Sequence, residues 1–207
     1  MRGAYVVAGN GACGLLVASL LMVSPASAMD TVNGTGGDDH LRGTPFSDTI
    51  RGFGGNDVVH ALAGADLIGG GSGFDRDLDA GRGDDTIRGG AQGDGLDGGQ
   101  GDDTIYGGAG RDSILARAGS DVIFGGAMGD GFLFDGRGPD TVYAGLGNDV
   151  VYLAKDGTSD AVTCGPGHDV VYGATSVNTI GADCEEVHVQ LPNDRGLPAR
   201  VLPSLRH

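Results

Sequence analysis

Aspartate returns at one place in a nine-residue period along most of this chain. It does so fifteen times, at Asp39, Asp48, Asp57, Asp66, Asp75, Asp85, Asp94, Asp103, Asp112, Asp121, Asp130, Asp140, Asp149, Asp160 and Asp169. One extra residue in the unit from Gly70, one in the unit from Gly125, and the pair Leu153-Ala154 are the only breaks in the spacing. Aspartate is about one residue in eight, so chance cannot hold it in register fifteen times. A unit of nine residues cannot bury a core of its own. It gains stability only by stacking on its neighbours, which makes the chain a solenoid.

The other positions of the unit say what kind. Counting Asp as sixth, the fourth position is Gly in eleven units, the exceptions being Phe46, Gln92, Met128 and Thr158. The eighth is apolar in fourteen, as at Leu41, Ile50, Val59, Ile87, Ile105, Ile123, Val142 and Val171. In the unit from Gly70, Leu78 takes that slot through a one-residue shift. Residues one to six read as a glycine-rich turn, residues seven to nine as a short strand whose eighth side chain points inward. Thr, Val, Ile and Tyr around that position suit a strand.

The clearest units, Gly-Gly-Gln-Gly-Asp-Asp-Thr-Ile-Tyr at 98–106 and Gly-Gly-Ala-Gly-Arg-Asp-Ser-Ile-Leu at 107–115, resemble the repeats-in-toxin (RTX), or hemolysin-type, calcium-binding repeats. The resemblance extends over residues 34–172. It implies an all-β fold, a right-handed parallel β-roll of about fifteen nonapeptide units, two units to each coil. Alternate units then share an edge, giving one column of eight aspartates from Asp39 to Asp169 and another of seven from Asp48 to Asp160. It also implies multiple Ca2+ ions between successive turns, held by these carboxylates and by backbone carbonyls. Turns carrying Phe46, Gln92, Met128 or Thr158 are expected to bind less well. One inward aliphatic per nine residues is little against the entropy of ordering nine backbones, so the roll is expected to need its metal to fold.

Composition agrees. The formal charge is −15, and 26 of the 28 acidic residues are Asp. Such an acidic chain has no means of neutralising phosphates, which excludes nucleic acid as partner. Arg2, an apolar run from about Ala12 to Val23, and Ala26-Ser27-Ala28 read as a secretory signal over 1–28. The run is too short to span a bilayer comfortably, so no membrane insertion is expected. Cleavage after Ala28 leaves Cys164 and Cys184, an even count that implies a disulfide in an exported chain.

The expected organisation is therefore signal peptide 1–28, calcium-binding roll 29–172, a disulfide-closed C-terminal capping strand in 173–190, and a disordered tail at 191–207. Neither H-E-x-x-H nor G-x-S-x-G occurs, so catalysis is not expected. Asp75-x-Asp77-x-Asp79 imitates the start of an EF-hand loop, but Gly81 falls one place late and Thr86 stands where Glu is needed. Outward ninth-position residues form ladders, with Tyr106, Phe124 and Tyr143 on one sheet and Leu115, Leu133, Tyr152 and Tyr172 on the other. Such a ladder stabilises a sheet. It is also a candidate surface platform for a cell-surface glycan or protein partner. The chain is thus expected to be a secreted, extracellular, non-catalytic calcium-binding protein, with an adhesion or glycan-binding scaffold as the alternative.

Overall fold

The computed structural model describes residues 5–8, 29–134 and 136–189. Most of the expected signal peptide, and the tail at 191–207, lie outside these residues. The described chain is all-β: a parallel solenoid of about nine coils, with strands in two sheets of ten and nine. Among the described residues every strand pairing is parallel except one, between Tyr5–Ala8 and Asp39–Arg42. Successive units alternate between the sheets, so each strand pairs with the strand one coil away. Ile87, Ile105, Ile123 and Val142 form one in-register row, and Leu78, Leu96 and Ile114 form part of the opposite one.

These rows are the core. Two columns of single aliphatic side chains, from Val32 to Val171, face each other with almost no exposure. Beside each aliphatic in the regular coils the strand adds at most a small inward residue, such as Ala80, Ala116 or Ala144, so the interior is too thin for many large apolar side chains.

Strands in the regular coils are longer than the three residues expected. Thr86–Ala91, Thr104–Ala109 and Val122–Ala127 each run through positions seven to nine and on through positions one to three of the next unit. The cause is main-chain pairing that continues through the glycines: Gly108 aligns with Gly90 and Gly126, and Gly110 N–H donates to Ala127 O at 3.0 Å. Only positions four to six remain as a turn.

The extra residues are absorbed as register shifts. Leu78 enters the core between Val59 and Leu96, as expected. The unit from Gly125 makes the same adjustment: Leu133 pairs with Ile114 and Phe134 with Leu115. By register Leu133 therefore holds the eighth position, not the ninth, and Phe134 the ninth.

At the C-terminal end, Glu186–His188 pairs in parallel with Val170–Tyr172. Cys164 and Cys184 form the expected disulfide across a separation of 20 residues, with Cys164 fully buried. A bridge over a loop of this size contributes about 3 kcal/mol in the chain-entropy model. Reduction, or a Cys184→Ser substitution, is expected to lower the Tm of the calcium-loaded protein by about 6–12 °C. Differential scanning fluorimetry with and without reductant measures this; an unchanged Tm would refute it.

Candidate metal columns

All fifteen sixth-position aspartates are buried, none exposing more than 3% of its surface. Each coil positions them through hydrogen bonds to the next. Asp39 N–H donates to Asp57 Oδ1, Asp57 N–H to Asp75 Oδ1, and the same link joins successive members through Asp94, Asp112, Asp130 and Asp149 to Asp169. The second column runs identically from Asp48 through Asp66, Asp85, Asp103, Asp121 and Asp140 to Asp160. The two columns that the resemblance implies are thus two continuous hydrogen-bonded ladders. The ladders reach past the fifteen at both ends, and Asp30 N–H donates to Asp48 Oδ1 at 3.3 Å. Glu185 completes the first column, its Oε2 accepting the Asp169 N–H at 2.8 Å.

The fifth position forms a parallel ladder in the opposite sense, which the repeat alone does not reveal. Asp84 Oδ1 accepts the N–H of Asp102, and Asp102 Oδ1 that of Ser120. Asp38 and Asn56 do the same for Asn56 and Phe74. Fifth-position side chains therefore reach for the N–H of the coil ahead, and sixth-position side chains for the coil behind. Short side chains suit both tasks, which accounts for the near absence of Glu.

In the regular coils the ladder N–H uses only one oxygen of the carboxylate, and in Asp39 the Thr35 N–H and hydroxyl engage one oxygen instead. In thirteen aspartates the other is buried without any hydrogen-bond partner: Oδ1 of Asp39, and Oδ2 of Asp57, Asp66, Asp75, Asp85, Asp94, Asp103, Asp112, Asp121, Asp130, Asp140, Asp149 and Asp169. An orphaned carboxylate oxygen is costly to bury. Main-chain carbonyls stand beside it. The point where a Cβ would lie on Gly107 is 2.5 Å from Asp112 Oδ2 and 2.3 Å from Gly125 O; on Gly70 it is 2.2 Å from Asp75 Oδ2 and 2.7 Å from Gly89 O. This donor set is oxygen alone and anionic, repeated coil after coil, and it fits a hard divalent cation such as Ca2+. Among the described residues no three His, Cys, Asp or Glu side chains converge on one point. The carbonyls must therefore share the coordination with the carboxylates.

The electrostatics carry the same message. Burial pushes the Asp103 and Asp140 carboxyls up to about 8, Asp85, Asp94 and Asp130 to about 7, and Asp57, Asp66 and Asp121 to about 6. The donated N–H pulls each back down, while nearby carboxylates add to the rise. Asp75, Asp112, Asp149, Asp160 and Asp169 are raised for the same leading reason.

Two aspartates differ. Asp48 Oδ2 accepts the Thr44 N–H at 2.6 Å, and the Thr44 hydroxyl bonds both of its oxygens. Asp160 Oδ2 accepts from Asn178 Nδ2 at 2.6 Å. Their turns, those of Phe46 and Thr158, are closed by side chains and leave no orphan oxygen. Gln92 and Met128 behave otherwise. Both adopt the left-handed backbone that glycine takes in the regular turns, with φ of 77° and 78°. Their units keep orphan oxygens on Asp94 and Asp130. These turns are strained rather than distorted, and their donor geometry matches the rest.

The acidic triplet has no shared site. Asp75 is buried in its column, while Asp77 and Asp79 lie outside beside His60 at 3.8 and 3.4 Å. The aromatic ladder is in register: Tyr106 stacks on Phe124 with centroids 4.8 Å apart, and Phe124 on Tyr143 at 5.0 Å. Interplanar angles of 3° and 9° place the rings face to face. Arg88 covers the outer side of Tyr106. Both faces of Tyr106 and Phe124, on which a sugar would stack, are covered by neighbouring rungs, which is the geometry of a sheet-stabilising stack.

The chain matches the profile of the RTX calcium-binding nonapeptide repeat in six segments that together run over residues 29–156. No curated protein matches it. The last matched segment, 128–156, ends before Asp160, the aspartate whose second oxygen is satisfied by Asn178.

Proposed function

The chain belongs to the RTX calcium-binding nonapeptide repeat family, and from that premise we propose that it is a secreted, non-catalytic protein whose roll folds when it binds Ca2+. The observation that carries this reading is the series of thirteen buried, partnerless carboxylate oxygens. A fold that placed them there without a cation would bury thirteen uncompensated carboxylate oxygens in its turns. In this reading the fifteen aspartate turns are fifteen nonapeptide units, the segment 173–190 is a cap, and the leader at 1–28 directs export.

A non-catalytic role is supported by how the carboxylates are used. Groups that could serve as acid and base are engaged by main-chain N–H on one oxygen and directed at a cation site by the other. Export is supported by the leader pattern and by the disulfide, which suits an oxidising compartment.

Calorimetric titration of Ca2+ into chelator-treated protein tests the reading. Several ions are expected to bind per chain, with heats that depend on the buffer because raised carboxyls release protons as metal enters. Absence of binding at millimolar Ca2+ would refute it.

A further inference from the structure

The outward ladder on the nine-stranded sheet has one missing rung. Its ninth-position residues run in register Arg51, Gly69, Arg88, Tyr106, Phe124, Tyr143. Between Asn33 and Thr163, which flank this stretch at its two ends, every member but Gly69 carries a long or flat side chain. At Gly69 the space is open: a Cβ there would meet nothing within 4 Å. The gap forms a recess of about 300 Å³ lined by Arg51, Arg88, Leu67, Phe53 and the main chain of Gly69.

We propose that this recess binds a small aromatic carboxylate, its ring inserted as the absent rung. Three observations carry the assignment. The first is pitch. Parallel strands lie about 4.8 Å apart, so Arg51 and Arg88 are separated by about twice that, room for one flat group. A ring at the Gly69 level would then continue the spacing of 4.8 and 5.0 Å already present between Tyr106, Phe124 and Tyr143. The second is charge. In a chain of formal charge −15, neither Arg51 nor Arg88 has a carboxylate within ion-pair distance among the described residues. Guanidinium groups stack on aromatic faces and pair with carboxylates, so two of them flanking a slot favour a ligand offering both. Arg88 already stacks in this way, over Tyr106 at 5.0 Å from the ring centroid. The third is the apolar lining. Leu67 is 39% and Phe53 54% exposed at the border of the recess, an apolar wall for the edge of a ring.

The test uses calcium-loaded full-length protein and 2-naphthoate, followed by its fluorescence. Saturable binding at millimolar or lower concentration is expected, weakened by salt. Gly69→Phe fills the rung and is expected to weaken binding about tenfold or more while leaving the calcium-dependent circular dichroism intact. Arg51→Gln is expected to act likewise, whereas Gly69→Ala keeps most of the affinity. The neutral analogue 2-naphthalenemethanol is expected to bind far more weakly. No saturable binding, equal affinity for Gly69→Phe, or equal affinity for the neutral analogue would each overturn the proposal. If Gly69→Phe fails to fold, Arg51→Gln and the neutral analogue still decide it.

Discussion

In chelator near pH 8 the roll is expected to unfold, and acidification toward about pH 5 is expected to bring its β-structure back. This is the reverse of ordinary acid denaturation, and the sign follows from the carboxyls. Eight column aspartates are pushed up to between about 6 and about 8 in the folded chain. A group whose folded pKa is raised prefers the folded state when protonated. Its stabilisation is complete below the unfolded value, and is lost as pH rises through the folded value. For these groups the window runs from 3.8 up to about 8. A tenfold preference of one protonated carboxyl for the folded chain is worth about 1.4 kcal/mol, and that much at each of eight sites is on the order of 10 kcal/mol, comparable to the stability of a whole domain. Calcium acts on the same oxygens by countercharge instead of by a proton. Stability with saturating Ca2+ is therefore expected to hold at about pH 8 and to depend less on added metal as pH falls. Far-ultraviolet circular dichroism across pH, in chelator and in millimolar Ca2+, reads both curves. A metal-free protein that is most folded at alkaline pH would contradict the account.

Gly83→Ala is expected to disrupt the roll even with calcium present. Gly83 has φ of 124°, and a Cβ added to it would stand 1.9 Å from Gly64 O, a main-chain atom of the preceding coil that cannot rotate away. The left-handed backbone alone costs about 1 kcal/mol or more for a residue with a side chain, and the clash adds to it. A loss of roughly 3 kcal/mol corresponds to a fall in Tm of about 6–12 °C. Gly69→Ala is the matched control, since its Cβ meets nothing and its φ is not positive. Thermal melts of both variants in Ca2+ measure the difference. Equal melting would show that the coils can part locally without penalty.

How much of the fold and of the metal columns is legible in the sequence depends on whether a feature is periodic. The register of the fifteen aspartates follows from the spacing, their division into two columns from the family resemblance, and each neighbour so expected is a hydrogen-bonded neighbour in space. The shift to Leu78 is legible because Asp77 cannot fill a core slot. The equivalent shift to Leu133 is not, since Phe132, Leu133 and Phe134 are all apolar and the pattern does not choose among them. Glycine at position four is the sequence's sign of a sound turn, and Gln92 and Met128 defeat it by adopting glycine's backbone angles. Thr44 closing on Asp48, and Glu185 standing in for the next aspartate, are invisible because each occurs away from the repeated position. The gap at Gly69 is hidden for a further reason: glycine is common in this chain, and only strand register shows which one interrupts a row of side chains.

The one-way sense of the aspartate ladder also sets an order of events. Each buried N–H is completed by a carboxylate that comes about two units later in the chain. A polypeptide made from its N-terminus can therefore lay down a coil but cannot finish it until the next has arrived. At every stage the growing end is the incomplete one, like a row of teeth waiting for a slider. The last waiting donor is the N–H of Asp169, and its acceptor is Glu185, one residue beyond the cysteine that locks the end. Closure and covalent fastening thus fall together at the final stretch of the roll, and a chain cut short anywhere before it ends on an unmatched tooth.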